Sequence, residues 1–172
     1  MSPRLLSMLI AISWAAPATA ERQTIGVHSR WGAFKENGRC FAMSAPVDAR
    51  RGSPAAASVG FWPARGAWGQ VHVRLGAPRR AGSAVILKIG SRSFQLAGNG
   101  AEAWAASPAA DGLIVAMMRT GSAMSVETRT ERGGVLRERY SLAGAASAVD
   151  AAAAACAHAR GAAGKSGAYS LD

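Results

Sequence analysis

The chain has 172 residues, 49% of them hydrophobic, and its 20 Lys plus Arg against 10 Asp plus Glu give a formal charge of +10. Length and apolar content suit one domain with its own core and exclude a small peptide held by several staples, since only two cysteines are present. The positive surplus favours anionic partners, among them nucleic acid, lipid headgroups, anionic polysaccharide and lipopolysaccharide, but the charges are scattered along the chain and not gathered into a basic run, so a merely solvated basic surface is the competing reading.

Residues 1–20, MSPRLLSMLIAISWAAPATA, carry one charge at Arg4, an apolar run from Leu5 to about Ala16, and Ala18-Thr19-Ala20. That order predicts a signal peptide cleaved after Ala20 and an exported, periplasmic or secreted chain. About twelve apolar residues cannot cross a bilayer that needs roughly twenty, and no later run is long enough to span a membrane. No cysteine follows the cleavage site, which argues against a lipoprotein anchor. Removing 20 of the 172 residues leaves 152, read as one β-rich domain at 21–160 and a flexible tail at 161–172.

Between Arg30 and Ser141 the punctuation is that of strands and hairpins. SRWGAF and RCFAMSAP flank Lys35-Glu36-Asn37-Gly38, and Asn-Gly is a hairpin signal. Ala49–Ala57 (ARRGSPAAA) and Ala77–Ser83 (APRRAGS) read as surface loops, each with an Arg-Arg pair beside Gly and Pro. ASVGFWP and QVHVRL read as strands, and VILKIGSRSFQLAG turns at Gly90-Ser91. AADGLIVAMMR predicts a short helix over Ala109–Arg119, with Leu113, Ala116 and Met117 on one face. MSVETRTERGGVLRERYSL forms a last pair of strands around Gly133-Gly134.

In SLAGAASAVDAAAAACAHARG, Leu142, Ala145, Val149, Ala152 and Cys156 recur at steps of three and four. They line one face of a helix from about Gly144 to His158, ended by Arg160 and Gly161. Its small side chains permit close approach to a sheet and turn Cys156 inward. In an oxidising compartment Cys40 and Cys156 predict a disulfide that ties this helix to the first part of the sheet, nominally ~4–5 kcal/mol on the chain-entropy model. Two separate buried thiols are the alternative. The expected class is mainly β, an antiparallel sheet or sandwich of about seven or eight strands with a short helix and a C-terminal alanine-rich helix.

The chemistry-bearing residues are sparse. His28, His72 and His158 lie far apart, and no H-x-x-x-H or Cys-x-x-Cys spacing points to a metal. There is no G-x-S-x-G elbow and no Ser-x-x-Lys pair, although triad members need only meet in space. Glu102, Asp111, Glu127 and Glu131 show no glycosidase-like spacing, and GRCFAM and GNGAEAW lack the strand-to-helix context of a dinucleotide site, so no cofactor is expected. Trp31, Phe34, Phe41, Phe61, Trp62, Trp68, Phe94 and Trp104 punctuate the strands, a spacing that reads first as core packing. Trp62 and Trp68, either side of PARGA with Arg65 between them, form the candidate exposed pair, able to stack on a sugar or hold a partner. With Arg79 and Arg80 from the second basic loop they make up the candidate binding surface.

The ordered segments WGAF, GRCFAMSAP, VILKIGSRSFQL, LIVAMMRTG and YSLAGAASA leading to Cys156 resemble the invasion-associated locus B family, particularly its shorter exported members. The resemblance covers roughly Trp31 to Cys156. It implies a β-rich periplasmic or surface-associated protein without known catalytic residues; the additional cysteines of longer members are absent here. The expectation is therefore a non-enzymatic envelope protein that binds a protein partner or an anionic envelope component. A hydrolase whose site assembles only in the fold, with His72 or His28 within hydrogen-bonding reach of a serine at a concave site, is the alternative, and nucleic-acid binding ranks below both.

Overall fold

A computed structural model describes residues 21–165. The expected signal peptide at 1–20 and residues 166–172 of the expected tail lie outside the described residues, as does the side chain of His158. The strands are β1 (Gln23–His28), β2 (Trp31–Glu36), β3 (Arg39–Ser44), β4 (Ala56–Trp62), β5 (Ala67–Arg74), β6 (Val85–Ile89), β7 (Arg92–Asn99), β8 (Glu102–Ala105), β9 (Ala123–Arg129) and β10 (Val135–Ser141). The helices are α1 (Pro108–Thr120) and α2 (Ala145–Lys165). The ten strands among the described residues join one antiparallel sheet in the order β1-β2-β3-β4-β5-β8-β7-β6-β9-β10.

The mainly β class and both helices are as expected, with ten strands in place of seven or eight. The two additional strands carry weak signals. β1 is an edge strand with a register shift between Thr24 and Gly26, and β8 is four residues inside an Ala- and Gly-rich stretch. β4 takes Ala56 and Ala57 from the end of the segment read as a loop.

Period-2 alternation gives the sheet two unlike faces. Ala33, Cys40, Val59, Phe61, Val73 and Leu87 are among the buried residues of the inner face. There α2 lies across β1 to β4, while α1 lies against β5, β6 and β8 and touches α2. The sheet curls far enough for its last strand to meet its beginning. The Val47 amide donates to the Arg139 carbonyl at 2.7 Å, and the Trp31 indole N–H donates to the Ser141 carbonyl at 2.8 Å.

Leu142, Ala145, Val149, Ala152 and Cys156 are all buried, as their spacing predicts. Cys156 is bonded to Cys40, with the two Cα atoms 5.8 Å apart and both residues inaccessible to solvent. The helix does not stop near His158 or at Gly161, where its sequence suggests an end; it runs on to Lys165. The alanines around Gly161 propagate the helix through the roughly 1 kcal/mol that an interior glycine costs.

α1 begins as its sequence suggests, with Ser107 accepting the Ala110 amide and Pro108 in the first turn. Its buried face is Ile114 and Met118, while Leu113, expected on the apolar face, is 52% exposed and Ala116 is exposed. Two tertiary contacts set this rotation. Asp111 accepts the Val71 amide of β5 at 2.7 Å, and Arg119 holds Asp150 of α2.

Candidate functional site

The outer face of the sheet carries no α-helix among the described residues, and its aromatic rings lie down on it. Phe34 covers Gly32, where an added Cβ would stand 2.6 Å from two ring carbons. Trp62 covers Gly60 more closely, at 2.2 Å from two ring carbons. In each case the glycine sits two residues earlier on the same face of the same strand, and its missing side chain lets the ring lie flat. Trp104 stacks on His72, its direct cross-strand partner, with ring centroids 5.1 Å apart and planes at 33°.

Arginines lie among these rings. Phe34 and Phe41 pack at 5.6 Å, with Arg22 5.4 Å and Arg39 5.1 Å from the Phe41 centroid. Glu36 braces both arginines, and the hydrogen bonds from Arg39 and Arg22 hold its carboxyl below the usual range against some desolvation. Three adjoining depressions of about 380, 460 and 330 Å³ share Arg39 and Trp62 and form one shallow furrow across this face. Arg22, Arg39, Arg65 and Arg74 line it together with Glu102, which pairs with Arg74, while Glu36 pairs with Arg22 and Arg39. No side-chain partner engages Arg65 among the described residues.

The floor of the furrow contains a row of three polar groups from neighbouring strands. His72 Nε2 lies 2.6 Å from Glu102 Oε2, and His72 Nδ1 lies 3.5 Å from Ser58 Oγ. Glu102 also reaches Arg74, with Oε1 3.5 Å from the guanidinium Nε. The Ser58 contact is long for a hydroxyl-to-nitrogen bond, and the same hydroxyl lies 3.4 Å from the His72 carbonyl. Ser58 is paired on both sides, with Met43 and His72, so surrounding backbone amides are spent in the sheet ladder. The row is built to fix the His72 ring; it is short of the paired free amides that acyl transfer uses.

The structure divides the residues expected to act together. Trp62 and Arg65 line the furrow. Trp68 pairs with Phe61 and packs edge-on to it at 5.0 Å, which puts it on the inner side of the sheet, away from Trp62. The bulge between Gly60 and Phe61 accounts for this placement, because it shifts the register that would have put the two tryptophans side by side. Arg79 is a latch whose guanidinium donates to the Ser83 and Gly98 carbonyls, and Arg80 is exposed on the same loop; neither lines the furrow.

Of the aromatics expected inside, Trp31 and Phe61 are core, Phe94 packs partly against it, and Phe34, Phe41 and Trp104 belong to the outer face. The residues missed were Arg22, Arg39, Ser58, Arg74 and Glu102. A legible sign of the site was Gly-x-aromatic within two strands, Gly32-Ala33-Phe34 and Gly60-Phe61-Trp62.

Among the described residues no group of three or more His, Cys, Asp or Glu could hold a metal ion, and no helix is long and apolar enough to cross a membrane. Comparison of the chain with protein-family models, with curated proteins and with solved structures finds no match to any of them.

Proposed function

We propose that this chain is an exported, non-enzymatic envelope protein of the invasion-associated locus B type, whose outer sheet face binds an anionic saccharide such as lipopolysaccharide. The observation that carries the reading is Trp62 lying flat on Gly60 at the centre of a furrow lined by four arginines. A sugar ring stacks on an indole plane, and guanidinium groups bind carboxylate or phosphate substituents as planar two-point donors. Single-stranded nucleic acid is recognised by similar groups. The Cys40–Cys156 bridge supports an oxidising compartment, where envelope polyanions are the nearer ligand.

Retention on immobilised lipopolysaccharide, an uncharged dextran and a single-stranded oligonucleotide tests this at low and moderate salt. The expected order is lipopolysaccharide first, with Trp62→Ala weakening it about tenfold or more. Absence of retention at low salt, or tighter binding to the oligonucleotide, would overturn the reading.

The Ser58, His72 and Glu102 row favours a second reading, ester hydrolysis. Ser58 would attack an ester carbonyl as His72 takes its proton and Glu102 holds the ring, followed by release of the alcohol and attack of water on the acyl-serine. Labelling of Ser58 by a fluorophosphonate would establish it. Absence of labelling together with no turnover of p-nitrophenyl acetate is the expected result.

A further inference from the structure

A second cleft, of about 590 Å³, lies where the curled sheet closes, between the loop after β3 and strand β10. Its volume falls in the range of small-molecule sites. Glu138 lines it and is 6% exposed. One carboxyl oxygen accepts the Gly76 amide at 2.7 Å and the other the Tyr140 hydroxyl at 3.2 Å. No cation pairs with Glu138 among the described residues, and two accepted bonds leave half of a carboxylate's acceptor positions unused.

The fold does not require the charge. A glutamine could accept the same amide through its oxygen and donate to Tyr140 through its nitrogen, without the cost of burying an ion. Room for the carboxylate is nevertheless kept, since a Cβ at Gly76 would stand 2.8 Å from Glu138 Oε1. Above this negative floor the exposed lining carries Arg50, Arg51 and Arg137. Arg137 is held by Glu127 at 2.9 Å, and Asp48 by Arg139 at 3.3 Å. The side chains of Arg50 and Arg51 have no partner among the described residues.

A simple cation would be repelled at that rim, and a simple anion would meet a carboxylate at the floor. From this arrangement we infer that the cleft binds a small zwitterion, its ammonium group on Glu138 and its anionic end on Arg50 and Arg51. The inference is independent of the outer-face reading, because none of the furrow residues lines this cleft.

The test is titration of the folded protein, by amide NMR shifts, with O-phosphoethanolamine and with L-alanine; ethanolamine and inorganic phosphate serve as single-charge controls. At least one zwitterion should shift residues 48–53 and 136–138 and bind at least tenfold more tightly than either control. Which of the two binds better identifies phosphate or carboxylate as the anionic end. Glu138→Gln, which keeps the hydrogen bonds, should abolish the shifts, and Arg50→Ala with Arg51→Ala should weaken them severalfold, while Trp62→Ala leaves them unchanged. No localised shift from either zwitterion, equal affinity for ethanolamine or phosphate, or undiminished binding by Glu138→Gln would overturn the proposal.

Discussion

The indole of Trp62 rests on the backbone of Gly60 so closely that even one methyl group at position 60 would fall within 2.2 Å of two ring carbons. The ring's flat posture is thus written two residues before it. Gly60→Ala must tilt the ring or push the strand, at a cost of about 1–3 kcal/mol for an overpacked site. Urea denaturation should show that loss, and affinity for lipopolysaccharide should fall with it. Undiminished affinity would detach the ring's posture from binding.

The disulfide closes a separation of 116 residues and joins β3 to α2. Replacing both cysteines by alanine should lower stability by about 2–5 kcal/mol, measured as a shift in denaturation midpoint, and reductant should act the same way on the native chain once it reaches the buried bond.

Gly144 stands at the entrance to α2 with φ of +85° and packs against the His28 carbonyl, where a Cβ would come within 1.8 Å. The neighbouring Ala143 carbonyl accepts the Arg30 amide, so displacement here opens the seam of the sheet. Gly144→Ala should cost about 2–4 kcal/mol from strain and clash combined, read from thermal unfolding.

Two carboxyl groups predict opposite pH responses. Burial pushes Glu138 above its ordinary value of 4.5, outweighing its hydrogen bonds from Gly76 and Tyr140. A folded-state pKa above the unfolded one means that the contribution to stability is complete in acid and is lost as pH rises through the folded value. Glu138→Gln should therefore raise the melting temperature at pH 7, with a difference from the native chain that shrinks toward pH 4.

Asp150 is the reverse case, held below its ordinary 3.8 mainly by the hydrogen bond from Arg119. Its contribution is present above 3.8 and disappears as pH falls through the folded value. Because the pair is exposed, Asp150→Asn should cost only about 0.2–1 kcal/mol at pH 7, and less still in strong acid, by the same melting measurement.

Local chemistry sufficed for much of the fold. Asn37-Gly38 and Gly90-Ser91 turn their hairpins because the turn needs residues tolerant of positive φ, and Asn37, Gly38 and Gly90 adopt it. The three-and-four spacing from Leu142 to Cys156 is a property of the helix itself, so that buried face was legible before any partner was known. Two cysteines in one chain likewise left a single pairing within it to consider.

Tertiary structure decided what spacing cannot encode. The rotation of α1 follows from Asp111 reaching β5 and Arg119 reaching α2, contacts spanning 40 and 31 positions, so its own apolar pattern pointed to Leu113 in error. The bulge opposite Gly60 and Phe61, where Gly69 of β5 is the extra residue, separated Trp62 from Trp68, although only five residues lie between them. Bringing His72 to Glu102 required pairing β5 with β8, 30 positions apart, and bringing Glu138 to Gly76 required the loop after β5 to meet β10 across 62 positions. Turns and helix faces are set by neighbours in the chain, whereas both candidate sites are set by which strands meet, and that is settled only when the whole sheet curls around its helices.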